Sequence, residues 1–102
     1  MTIDEFRDSL AQPPPPPGLR AVLRALWHAG RGEWDEAHEI AQSVDDAEGA
    51  WVHAHLHRTE GDLDNASYWY SRAKKSRPDL ALETEWDEIV GALLRDPPPR
   101  VT

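Results

Sequence analysis

The segment WVHAHLHRTEGD, residues 51 to 62, sets an imidazole at every second position (His53, His55, His57) and follows them with Glu60, Gly61 and Asp62. Imidazoles at this density can ligate a transition metal, relay protons, or hydrogen-bond inside a core. On a helix turning about 100° per residue the three do not share a face. His53 and His57, spaced i and i+4, lie with Ala50, Ala54 and Glu60, whereas His55 lies with Trp51 and near Arg58 and Thr59. The first pair can hold one ion with Glu60 as an oxygen ligand, and any further nitrogen must come from His28 or His38. Neither histidine of the pair is followed by the glutamate that a zincin-type hydrolase uses as its base. No activated serine, oxyanion donor or glycine-rich phosphate loop accompanies them, so no catalytic residue and no cofactor is expected. For His53 and His57 the simpler expectation is ring burial with a hydrogen bond to a carbonyl or carboxylate. The set His28, His53, His57 and Glu60 is the metal-binding alternative.

The elements that must position these side chains belong to a chain of 102 residues, enough for one domain with a modest core. Eleven basic residues against nineteen acidic ones give a net charge of -8, which disfavours nucleic acid and anionic membrane as partners. With no cysteine, disulfides, thiolate metal sites and a cysteine nucleophile are excluded. No apolar run has the length of a membrane span and the N-terminus has no signal-peptide pattern, so a cytoplasmic location is the expectation.

Thr2 and Glu5 have the form of a capping box, and Ile3, Phe6 and Leu10 fall at helical spacing, which predicts a short helix over about 3–11. Pro13 to Pro17 must leave the helix and is expected to run as an extended polyproline spacer, so residues 1–17 form an N-terminal segment. The helical domain spans 18–96. Leu19, Val22, Leu23, Leu26 and Trp27 make one apolar stripe, broken at Gly30-Arg31-Gly32, and Trp34, Ala37, Ile40, Ala41 and Val44 make the next. Asp45 or Asp46 caps a third helix that Gly61 stops, and Asp62 or Asp64 opens a fourth carrying Leu63, Ala66, Tyr70 and Ala73. Its last turn and exit hold Arg72, Lys74, Lys75 and Arg77, the one basic cluster of the chain, where cations complement the helix dipole. From Asp79 a final helix places Leu82, Trp86, Ile89, Val90 and Leu93 on one stripe, with Glu83, Glu85, Asp87 and Glu88 on the other faces. Pro97 to Pro99 end it and leave 97–102 as a disordered tail.

An ungapped offset of 29 aligns residues 21–44 with 50–73, matching Ala25 to Ala54, His28 to His57, Gly32 to Gly61, Asp35 to Asp64 and Ala37 to Ala66. A repeated helix-turn-helix unit follows. The turns GEWDEA (32–37) and GDLDNA (61–66) resemble the inter-helix turn of tetratricopeptide (TPR) repeats, and Ala54, Ala66, Tyr70, Ala73 and Pro78 continue the likeness. The stretch 51–73 is also similar to a motif of small bacterial proteins of TPR-like build. The offset is shorter than the family's period, Ala41 stands where an aromatic is usual, and His28 and His57 stand where tyrosine is usual. The resemblance implies an all-α fold of two antiparallel helix hairpins, framed by the short N-terminal helix and the C-terminal amphipathic one.

It also implies a function by binding rather than catalysis. In TPR stacks the first helix of each unit lines a groove, which here places Trp51, His55 and Arg58 on a surface for a protein or peptide partner, Arg58 offering a fork for a carboxylate. Filling of that groove by the N-terminal helix or by the helix around Trp86 is the competing outcome. Five tryptophans are many for so small a body to bury, and Trp69 sits between two tyrosines, so Trp69 is expected to face a partner or a second copy in a homodimer.

Overall fold

The capping box closes as its residues require: the Glu5 N–H donates to Thr2 Oγ1 at 3.1 Å and the Thr2 N–H donates to Glu5 Oε1 at 2.8 Å. It starts α1 (Ile3–Ser9), which seats Phe6 in the core and ends two residues short of the expected helix, with Leu10 as its C-cap. A computed structural model describes residues 1–95, and among them the chain is all-helical, with no strand. The tail expected at 97–102 lies outside the described residues. The proline run is not one straight spacer; the chain bends at residues 12–14 before it enters α2 (Ala21–Gly30).

Two hairpins follow. α2 folds back onto α3 (Trp34–Gln42), and α4 (Ala47–Thr59) onto α5 (Leu63–Ala73), each pair joined by three residues. The turns repeat the hydrogen bonds of their glycines and of the acids after them at the offset of 29. Glu33 N–H donates to His28 O and Asp62 N–H to His57 O, both at 2.9 Å; Gly32 N–H reaches Ala29 O at 3.0 Å and Gly61 N–H reaches Arg58 O at 3.1 Å. Both glycines sit at positive φ, +78° and +84°, where a Cβ would be strained. Ala25 and Ala37 in the first hairpin, and Ala54 and Ala66 in the second, are fully buried, so small side chains bring the paired helices close.

α6 (Leu82–Arg95) closes the bundle against α2, α4 and α1. It buries Trp86, Ile89, Val90 and Leu93, and four such side chains contribute on the order of 10 kcal/mol as an upper bound. The Trp86 indole N–H donates to Leu26 O at 2.8 Å, and Arg7 pairs with Asp87 at 3.0 Å, tying α6 to α2 and α1. Residues 79–81 remain outside the helix that the sequence pattern begins at Asp79. No helix among the described residues is long and apolar enough to cross a membrane.

Candidate functional sites on the faces of α4

α4 begins where Asp46 accepts from the Gly49 N–H at 2.8 Å and runs far enough to carry all three histidines through the middle of the bundle. All three are buried, and the helix sends them two ways, as its periodicity requires.

His55 faces α6. Its Nδ1 donates to Glu85 Oε1 at 2.7 Å, the same oxygen accepts from Arg58 Nη1 at 2.9 Å, and the Tyr70 hydroxyl donates to Glu85 Oε2. Arg58 Nη2 also donates to Leu80 O. Burial pushes the Glu85 carboxyl up, but the hydrogen bonds from His55 and Tyr70, the His55 charge and the Arg58 bond outweigh it and hold the group below its usual range. Tyr70 is displaced upward, first by burial and then by the carboxylate it bonds. Glu85 is therefore no member of an outer face, as its place among Glu83, Asp87 and Glu88 had suggested; it is 2% exposed. On the surface expected over Trp51, His55 and Arg58, α6 packs against α4, and His55 and Arg58 contact a carboxylate of their own chain. Trp51 stays half-buried beside the exit of α5.

His53 and His57 face α3, and there they meet His38. One ligand nitrogen from each of the three lies within 4.8 Å of the others. His53 Nε2 is 3.0 Å from His38 Nε2, and the rings of His53 and His57 stack at 4.9 Å. Two tryptophans clamp the group: Trp34 stacks on His38 at 4.7 Å, and Trp69 on His53 at 3.9 Å. Trp34 is itself fixed by its indole N–H, which donates to Leu56 O at 2.7 Å. His57 Nδ1 lies 3.3 Å from Glu60 Oε2. Burial, then the neighbouring His38 and His57, push His53 from the ordinary 6.5 down to about 4. Burial, followed by the charge of His57, lowers His38 as well.

His28, placed in the ligand set by its repeat equivalence with His57, does not join this group. Its Nδ1 contacts Glu33 Oε1 at 2.7 Å within its own turn, and Arg31 holds the same carboxylate at 3.2 Å. His38 takes the third place. Equal positions in two repeats lie on different hairpins, whereas α3 and α4 pack directly against each other.

A third region lies at the exit of α5. Arg72, Lys74, Lys75 and Arg77 are all exposed. The Arg72 guanidinium lies 5.5 Å from the Trp69 ring centre and 5.8 Å from that of Tyr68, and the Lys75 ammonium lies 4.2 Å from that of Trp51. Lys74 caps the helix at φ +61°, a left-handed position that glycine usually fills. Trp51 and Trp69, singled out for partner binding, thus each lie under a cation of this ridge.

An all-helical chain built on a doubled hairpin, with a histidine triad on the seam between the hairpins and a cationic, aromatic ridge, defines the class. Comparison with known proteins finds no family model, curated protein or solved structure that matches the chain.

Proposed function

We propose that the protein is a non-enzymatic, TPR-like binding module of the cytoplasm that docks a carboxylate-rich polypeptide segment on the ridge at the exit of α5. The observation that carries this reading is that Arg72, Lys74, Lys75 and Arg77 form no ion pair among the described residues, in a chain with nineteen acidic groups. Cations that an acidic fold leaves unpaired are available to an external anion. Two of them lie over tryptophans, which supply the apolar, rigid area that binding hot spots favour. The overall charge of -8 opposes a long polyanion but not a short segment, since screening confines the field to about 8 Å at physiological ionic strength. Lys74 fits the same reading: a non-glycine residue held at positive φ costs about 1 kcal/mol and places its charge on the ridge.

A labelled peptide alternating glutamate with leucine tests this directly. Binding is expected to weaken as salt rises, to vanish in the double variant Arg72→Glu/Lys75→Glu, and to fall about 30-fold in Trp51→Ala. Binding that ignores salt and charge reversal, or equal binding of a lysine-leucine peptide, overturns the reading.

A further inference from the structure

We propose that His38, His53 and His57 form a binding site for a divalent first-row transition ion, zinc, copper or nickel, held by three imidazole nitrogens with a fourth position left for water. The site lies on the seam between the two hairpins and does not rest on the ridge reading, although Trp69 borders both.

Distance is the first support. Two imidazole nitrogens bound to one ion at about 2.0–2.1 Å in tetrahedral geometry stand about 3.3 Å apart. The His38 and His53 Nε2 atoms already stand 3.0 Å apart, and the ligand nitrogens of all three fall within 4.8 Å. The His38–His53 pair needs a shift of a few tenths of an ångström to admit the ion, and the His57 nitrogen must close from within 4.8 Å to the same spacing.

Hydrogen bonding is the second. With no ion, two Nε2 atoms face each other, so one imidazole must spend its proton on the other. No carboxylate joins the group of three nitrogens. His55, on the same helix, shows the alternative this fold can build: an imidazole donating to a buried carboxylate at 2.7 Å. The triad has instead three imidazoles with one ring nitrogen from each drawn close together.

Orientation is the third. His57 places Nδ1 toward Glu60 Oε2, which leaves Nε2 as its free nitrogen. A carboxylate behind a ligating histidine fixes its tautomer and raises its basicity. The other two rings are fixed by stacking, His38 under Trp34 and His53 under Trp69, so little rotamer freedom remains to be lost on binding. An all-nitrogen set disfavours calcium and magnesium, which prefer oxygen, and matches the borderline ions named. An ion here joins α3 to α4 and therefore one hairpin to the other.

The full-length chain, stripped with EDTA and then titrated with zinc by calorimetry and with cobalt by visible absorption, gives the test. One ion per chain and the strong visible bands of four-coordinate cobalt are expected. His38→Ala should weaken zinc binding about 100-fold and Glu60→Gln about 10-fold, while His28→Ala leaves it unchanged. If His38→Ala fails to fold, His38→Gln replaces it, and the cobalt spectrum of the unaltered chain decides independently. Zinc taken up at no fixed ratio, weak octahedral cobalt bands, or equal losses in His28→Ala and His38→Ala overturn the proposal.

Discussion

His55 and His53 are two residues apart on one helix, both almost fully buried, and they live in opposite chemical settings. His55 has an acid across from it, and that acid is satisfied by three donors from α4 and α5. His53 has only other rings: His38, His57 and Trp69. A buried polar residue with its full set of partners is explained by the fold. One whose only polar partner is another imidazole is the observation on which the proposed metal site rests. The comparison teaches that what lies opposite a histidine, rather than the histidine or its burial, separates framework from site.

The largest effect that can break this contrast is removal of the acid. Glu85→Ala leaves Arg58 and His55 without their carboxylate inside the bundle and should lower unfolding free energy by about 3–5 kcal/mol in urea titration. A loss below about 1 kcal/mol would make the Glu85 network as dispensable as a surface pair.

A pH titration of the metal-free chain sharpens the contrast further, because the two regions lose stability in different windows. His53 is depressed from 6.5 to about 4, so the unfolded chain takes up its proton first, and the stability it contributes is complete above 6.5 and lost as pH falls toward 4. Glu85 is also depressed, but from 4.5, so its contribution persists to lower pH and is lost only below the ordinary carboxylate range. His53→Leu should flatten the upper limb and leave the lower one. Retention of the upper limb in that variant assigns it elsewhere.

Lys74→Gly should raise stability by about 1 kcal/mol by relieving the left-handed lysine, while weakening the glutamate-leucine peptide. The smallest change is expected at neutral pH without metal, where His53→Leu replaces an imidazole among rings with an apolar side chain and should stay within about 1 kcal/mol of the parent. The same variant should abolish stoichiometric zinc.

Much of this architecture is legible from local chemistry. Thr2 with Glu5 marks a helix start, Gly32 and Gly61 mark turns, and the offset of 29 carries the same hydrogen bonds because the same residue types recur. Helical phase alone separates His55 from His53 and His57. What phase does not supply is the neighbour across the seam. His38 follows the buried Ala37 by one residue, which turns it from its own hairpin toward the next, and that was the available signal for the third ligand. Glu85 precedes Ile89 by four and so shares its stripe, a clue masked by the acids around it. Both partners are chosen by how helices pack, a tertiary choice that the 3.6-residue period does not encode.

Trp34 and Trp69 give the triad a property beyond its geometry. Two of the five indoles lie face to face with its imidazoles, at 4.7 and 3.9 Å. At such separations an excited indole is quenched by a protonated ring or by a bound copper ion, and far less by zinc. The protein therefore carries its own optical gauge of the histidines: emission falls when the cluster is protonated or takes up copper, and its response to pH or to added copper separates the two without any label.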